Sequence, residues 1–500
     1  MNRGSKVSPA EDMPRIVIVG AGPAGLTAAY RLCQKGHQPV VLESDPERVG
    51  GLSRTVTHNG YHFDIGGHRF FSKSKEIEDL WTELLGDDML WRDRKSRILW
   101  RGRFFAYPLR PLQALAALGP FTAAACAMSY LRERLRPMRD QTSFEDVITH
   151  MFGRRLYRIF FKEYTEKVWG MSCREISADW ARQRVKGLSV RSALSNALWL
   201  GRRPAASGPE VVKTLITRFR YPRLGPGMLW QECSRRVGDM GGSVRLGRRV
   251  VGLRLEDGRW EVRHAGPGGN EEVTNADQVI CSAALADVLK ILEPEPPDEA
   301  RNAAASLKYR DFLTVALVVR GEGSFDDNWI YIQDPEVKVG RIQNFRAWSP
   351  EMVPDSDSSC YGLEYFCWEG DELWCRGDAE LVDLAGRELC SLGLARPQDV
   401  LSGTVVRQPK AYPVYDEGYA DRVETIRETL DHRYPGLHQV GRNAMHRYNN
   451  QDHSMMTALL TVENILAGRS LFDPWQVNQD AEYHEDGEAG TRRITDVDDC

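Results

Sequence analysis

Gly20, Gly22 and Gly25 form Gly-x-Gly-x-x-Gly directly after the apolar run 15–19, and an acid, Glu43, follows about twenty residues later. This combination suits the holding of a dinucleotide pyrophosphate. The first glycine permits a tight turn, the second lets bare backbone approach the phosphates at a helix N-terminus, and the third lets helix pack on strand. Glu43 would then accept hydrogen bonds from the adenosine ribose. The following stretch Gly50-Gly51-Leu52-Ser53-Arg54 would close a second loop over the cofactor, which favours FAD over NAD, or would be an ordinary loop. No Ser-His-Asp order, HExxH or paired-carboxylate motif stands out, so the hard chemistry falls to the cofactor.

Elements able to position these residues can be read along the chain. Residues 15–19 predict a strand, Ala24–Lys35 a helix and Pro39–Leu42 a second strand, a βαβ unit ending on Glu43. Ser143 to Leu200 is helical in pattern and stops near the loop-like Gly201–Gly208. Val244–Leu255, a turn at Asp257-Gly258 and Trp260–His264 predict a hairpin, after which Gln278–Ser282 could rejoin the first sheet. The runs at 311–333 and 359–368 suggest an antiparallel sheet covering the substrate, and the last helix is expected at Ser454–Leu466 before an acidic tail.

With 42% hydrophobic and 27% charged residues, the 500-residue chain has the composition of a multidomain globular protein. Its net charge of −4 argues against nucleic acid as a partner, so a grip on phosphate must come from a few placed arginines. Its ten cysteines are scattered without metal-ligand spacing, which predicts no metal and a reducing, cytoplasmic setting. No apolar secretory segment is expected at the N-terminus. Residues 112–131 approach the length of a bilayer span between arginine-rich stretches, but Gly119-Pro120 breaks them. Two short helices in a buried core or a homo-oligomer face are expected there in preference to peripheral membrane contact.

The stretches GAGPAGLTAAYRL and ESDPERVGGLSR resemble the flavin domain shared by amine oxidases, protoporphyrinogen oxidases and UDP-galactopyranose mutases, which implies FAD. Phe63-Asp64-Ile65-Gly66-Gly67-His68 with Phe70-Phe71-Ser72 resembles the mutases, most closely the longer eukaryotic type. That resemblance implies Gly66, Gly67 and His68 beside the isoalloxazine; the residues alone would equally fit a glycine turn with a surface histidine. Phe144-Glu145-Asp146, Met151-Phe152-Gly153 and Tyr164 to Gly170 look like the helical domain of those enzymes, and Trp180 to Val185 resembles the stretch that places Arg184 on a substrate diphosphate. A solvated helix face is the alternative for that arginine-rich run. Asn328 to Tyr331 and Arg341 to Pro350 look like the segment carrying a substrate tyrosine, Tyr331, and a second diphosphate arginine, Arg341; Tyr412-Pro413 resembles a tyrosine near the phosphates. Gly441-Arg442 and His446 to Met455 resemble the C-terminal flavin-contacting motif, in which Asp452 to Ser454 would cap a helix facing the flavin. Between Arg442 and Asp452 the chain is shorter than the eukaryotic pattern, and its linkers differ.

The resemblance implies an α/β protein: a Rossmann-type FAD-binding domain with an inserted helical domain and an antiparallel-sheet substrate domain. The expected divisions are FAD-binding parts at 14–110, 221–295 and 426–475, a helical insert at 111–220, a substrate domain at 296–425 and a tail at 476–500. It also implies catalytic roles for His68, Arg184 and Arg341, and a cofactor role for Val250, Asn450 and Gln451 beside the residues above. Tyr107, Trp169, Tyr331, Tyr412 and Tyr448 would meet substrate, although a tryptophan at helical spacing such as Trp169 is commonly core. The implied reaction is a nucleotide-sugar mutase's pyranose–furanose interconversion through a covalent adduct on N5 of reduced FAD, without net redox, with NAD(P)H as a candidate reductant. The competing expectation is an FAD-dependent oxidoreductase acting on an amine, a polyene or a sugar hydroxyl.

Overall fold

The structure, a computed structural model, describes residues 13–107, 118–135, 141–185 and 216–478, with side chains in the helix Ala178–Val185 described as far as Ala181. The chain divides into two compact units. The first takes the described residues up to Arg54, Leu229–Leu307 and Ala420–Asn478, and the second takes Thr55–Met228 and Lys308–Tyr419. The chain therefore first passes between units at Arg54, earlier than the boundary expected at 110. The cause is local: Thr55–His58 pairs with Tyr61–Asp64 as a hairpin of the second unit.

In the first unit five parallel strands run in the order Leu437–Gln439, Gln278–Cys281, Ile16–Val19, Val40–Leu42, Ser243–Arg245. The run Ile16–Val19 is buried throughout, as expected for a parallel strand covered on both faces. The helix Pro23–Gln34 follows it and buries Leu26, Ala28, Ala29 and Leu32. The segment read as one strand, Val244–Leu255, is two: Ser243–Arg245 joins the parallel sheet, and Arg249–Glu256 starts the expected hairpin with Arg259–Ala265. Its turn residues Asp257 and Gly258 have φ of 49° and 76°, the left-handed pair that a two-residue hairpin loop demands. Gln278–Cys281 does return beside Ile16–Val19.

The second unit is built on a seven-stranded sheet in the order Val400–Pro413, Tyr309–Arg320, Ser358–Cys367, Arg341–Asn344, Trp329–Ile332, Ser96–Trp100, Arg103–Ala106. All pairs are antiparallel except Trp329–Ile332 with Ser96–Trp100. Period-two alternation gives the sheet two different faces. Leu313, Val315, Ile330, Ile342 and Leu363 pack one face into a core closed by Leu381, Ala385 and Leu389 of the helix Asp378–Ser391. The other face carries Trp329, Tyr331, Arg341, Gln343 and Glu364, and it positions the polar site described below.

Two helical expectations are corrected. The last helix runs Gln451–Ala467, and its N-cap is Asn450, whose N–H donates to Nδ1 of His453 at 3.2 Å. Asp452 and Ser454 are thus buried within its first turn and do not cap it, because the Asn450–His453 pair already starts the helix three residues earlier. Of the segment 112–131, residues 112–117 lie outside the described residues. Residues 120–131 belong to the helix Pro120–Arg134, which starts at the Gly119-Pro120 break and buries only Cys126. It is not a core helix.

Candidate functional site

In the first unit the glycine loop is shaped by backbone approach. A Cβ on Gly25 would stand 1.9 Å from the Gly20 carbonyl oxygen, and one on Gly20 would stand 2.3 Å from Oγ of Ser282. Only glycine fits either place. Gly22 is the N-cap of Pro23–Gln34 and brings no side chain to the free helix N–H groups, which suits an anionic ligand. Gly51 faces it: a Cβ there would lie 3.3 Å from Cα of Gly22, and the Gly50 N–H donates to the Ala21 carbonyl at 2.8 Å. Leu52 and Ser53 continue as the short turn Gly51–Ser53.

Glu43 directly follows the second strand and accepts from the backbone N–H of Ala21 at 2.6 Å and of Asp45 at 2.8 Å. It therefore fastens the glycine turn to its own loop. Gly441, with φ 89°, sits against the glycine-loop helix: a Cβ there would be 3.1 Å from Cβ of Ala24. The helix Gln451–Ala467 begins nearby, and Arg31 of one helix pairs with Glu463 of the other at 2.7 Å. Asn449 Nδ2 and Thr457 Oγ1 clasp the Gly441 backbone, each at 2.9 Å. Arg442 donates to the Asn449 carbonyl and stacks on Tyr448, so Tyr448 belongs to this loop of the first unit. Val250 lies half-buried on the hairpin strand, just beyond the segment in which Arg248 N–H meets the Glu43 carbonyl.

In the second unit cross-strand register places Tyr331 opposite Arg341 and Arg341 opposite Glu364. Arg341 donates to Glu364; Gln343 donates to the same carboxylate at 2.7 Å and accepts from the Trp348 indole at 2.8 Å. Burial works against the Arg341 charge, but the Glu364 carboxylate outweighs it, and the guanidinium stays protonated. The Arg341 side chain is 18% exposed while Glu364 is fully covered, so the cation is the reachable member of the pair. Tyr331 lies tilted against Tyr107 at 4.8 Å and meets Tyr164 edge-on at 5.4 Å, and Tyr412 lies against Phe312 and Phe366. Burial drives the Tyr164 phenol well above its ordinary value, against the pull of Arg341, so it remains a neutral O–H. Gly66 joins the cluster, since a Cβ there would meet Nη2 of Arg341 at 3.8 Å and Cε1 of His68 at 3.9 Å. A Cβ on Gly67 would meet Nε2 of Gln343 at 2.9 Å. Arg94 stands over Tyr107 and Trp329, and Arg69 over Trp329.

His68, Gly66, Gly67, Tyr107, Tyr331, Arg341 and Tyr412 thus come together in one unit. Trp169 does not join them: it is buried and packs edge-on against Trp180 at 4.8 Å, a core tryptophan and no base platform. Arg184 is on the helix Ala178–Val185, but its side chain lies outside the described residues. Tyr164, Glu364, Gln343, Arg69 and Arg94 are members of the cluster that the sequence reading did not select. Glu364 left a signal, being the lone charge in the apolar run 358–367.

Asp64, in the same Phe63 to His68 segment, is completely buried, accepts from Tyr221 and Thr55, and has its carboxyl pushed up to about 8 by burial. The folded state therefore keeps a proton that an unfolded chain releases near pH 4, so this carboxyl's contribution to stability is lost as pH rises from about 4 to 8. We expect melting temperature to fall across pH 5 to 8 less steeply in Asp64→Asn than in the parent; equal slopes would show that Asp64 is ionised in the fold.

A profile described as "Flavin containing amine oxidoreductase" matches residues 23–450. The chain belongs to this family. Among curated relatives, 15-cis-phytoene desaturase of Narcissus pseudonarcissus is 25% identical over 401 residues, 75% of this chain and 65% of that one. The Arabidopsis thaliana enzyme of the same name is 25% identical over 298 residues, 56% of this chain and 50% of its own. The matches thus span half to about two thirds of those relatives' length. L-amino-acid oxidase of Crotalus adamanteus is 46% identical over 65 residues, 13% of this chain and 12% of its own. Among solved structures, reduced UDP-galactopyranose mutase superposes with a TM-score of 0.78 at 23% identity, covering 93% of this chain and 97% of that one. A candidate protoporphyrinogen oxidase from Exiguobacterium sp. 255-15 gives 0.69 at 18%, covering 91% and 99%. These two show a shared fold. The family is flavin-containing, and the uncapped helix N-terminus, the facing Gly22 and Gly51, and Glu43 fit a dinucleotide cofactor.

Proposed function

We propose that this flavoprotein is a nucleotide-sugar mutase that interconverts ring forms on reduced FAD. The carrying observation is the chemistry of the second unit's cluster: a permanent, partly reachable cation, Arg341, among the hydroxyls of Tyr107, Tyr164, Tyr331 and Tyr412. Such a group suits a diphosphate with a sugar attached; a polyene would need apolar walls instead.

In this reading Gly20, Gly22, Gly25, Gly50, Gly51, Glu43, Gly441 and the first turn of Gln451–Ala467 hold the FAD. When bound and reduced, for example by NAD(P)H, the flavin supplies covalent catalysis with no net redox. Arg341, with Arg184 as its counterpart, holds the diphosphate so that the departing group stays in place until the sugar ring recloses. The tyrosine hydroxyls donate to phosphate and sugar oxygens, and His68 sits where it can orient a group beside Gly66. We place the enzyme in the cytoplasm, in keeping with cysteines that form no disulfide among the described residues.

The match to phytoene desaturases supports a second reading, an oxidoreductase acting on an amine, a polyene or a sugar hydroxyl. The test is to incubate dithionite-reduced enzyme with UDP-, GDP- and dTDP-sugars and follow pyranose–furanose conversion by HPLC. Conversion by reduced but not oxidised enzyme, many turnovers per reducing equivalent, is expected. Stoichiometric use of reductant or oxygen per product would move the chain to the second reading.

A further inference from the structure

The helix Pro120–Arg134 presents an apolar stripe to solvent. Phe121, Met128, Leu131 and Leu135, at its C-cap, are 91%, 68%, 54% and 86% exposed, and Ala124 is exposed between them. At 100° per residue these positions fall within roughly 80° of arc, a continuous seam on the side away from buried Cys126. The helix is tied down from behind: Ser129 Oγ accepts the Arg155 N–H at 3.1 Å, and a Cβ on Gly153 would stand 2.8 Å from Cα of Tyr130. Its exposed side therefore belongs to a fixed element. Among the described residues no helix is long and apolar enough to cross a membrane, so the stripe can lie on a surface but does not form a span.

The charges around the stripe select the kind of surface. Arg132 and Arg134, both exposed, flank it on either side of the helix, in a chain whose net charge is −4. A second copy docked on this face would bring one set of arginines onto another, whereas an anionic lipid surface complements the arginines and accepts the apolar seam.

We infer that the Pro120–Arg134 face docks peripherally on anionic membranes. The placement bears on substrate access: Leu118, two residues ahead of the helix, packs on the same Ile98–Phe105–Phe160 core as Tyr107 and Tyr331.

The experiment uses the full-length flavoprotein in co-sedimentation with vesicles of phosphatidylcholine alone or with about 30 mol% phosphatidylglycerol. Binding to the anionic vesicles only, weakened by 0.5 M salt, is expected. Phe121→Asp with Met128→Asp should lower the partition coefficient by at least about 10-fold, and Arg132→Glu with Arg134→Glu similarly, with flavin content and melting temperature unchanged. Equal partition on both vesicle types, or no effect of either double substitution, would overturn the inference. So would sedimentation velocity showing a dimer that Phe121→Asp with Met128→Asp dissociates, because the stripe would then be a self-association face. None of these readouts depends on which reaction the enzyme catalyses.

Discussion

Arg341→Ala is expected to lower kcat/KM for a nucleotide sugar by roughly 30- to 1000-fold while flavin content stays normal. The magnitude follows from losing one charge-assisted contact to a desolvated diphosphate, about 2–4 kcal/mol. The structure adds a complication that the motif alone does not contain. Glu364 is fully buried and ion-paired to Arg341, so the alanine variant also strands a buried carboxylate, at a cost of about 3–5 kcal/mol in stability. A double variant separates the two effects. Arg341→Ala with Glu364→Gln removes the stranded charge, keeps a partner for Gln343, and should recover most of the melting temperature without recovering turnover. Arg341→Lys should restore activity only in part, since an ammonium ion cannot make the bidentate contact. Arg184→Ala gives the parallel test of the second cation. Recovery of turnover along with stability in the double variant would mean that Arg341 only neutralises Glu364, and the diphosphate reading would lose its carrying residue.

How much of this was legible in the sequence depended on whether a residue's role is local. The glycine loop was legible because turn, close approach and helix packing are all decided within Val19 to Leu26, and Glu43 directly follows the next strand. The start of the last helix was misread because the apolar periodicity of Ser454–Leu466 is stronger than the cue at Asn450, where the cap depends on a histidine three residues on. The polar cluster was legible only in part. Its members are Tyr107, just past the strand Arg103–Ala106, and Tyr164, Tyr331, Arg341, Glu364 and Tyr412, each on a different strand or helix, and it is the register Tyr331–Arg341–Glu364 that lines up its centre. Register across a seven-stranded sheet depends on distant pairings that no local window contains. Trp169 shows the limit of a local window: its helical spacing is compatible with a substrate contact or with core, and the short helix it ends turns it onto Trp180 in the core.

Two substitutions in the same loop should fail in different ways. Gly25→Ala adds one methyl group, but the Cβ would stand 1.9 Å from the Gly20 carbonyl oxygen and 3.2 Å from Cγ2 of Ile18. The first of these is backbone, held by the Gly20 N–H bond to the Leu42 carbonyl at 2.8 Å, so strand or helix must move. A shift of that kind in a close-packed core costs upwards of about 3 kcal/mol, and we expect the variant to melt well below the parent and to lose flavin as a consequence. Gly22→Glu is the larger change and the milder one for the fold. Gly22 has φ −79°, which any residue adopts, and its Cβ would meet nothing nearer than Cα of Gly51 at 3.9 Å. The carboxylate would project over the uncapped helix N-terminus, where the pyrophosphate must approach. The expected product is folded, melts within a few degrees of parent protein stripped of its flavin, and is colourless. Absorbance at 450 nm per mole of protein and circular dichroism melting check both variants side by side. Full flavin occupancy in Gly22→Glu would remove the helix N-terminus from the cofactor site, and a Gly25→Ala protein indistinguishable from the parent would remove the close approach on which the assignment of this loop rests.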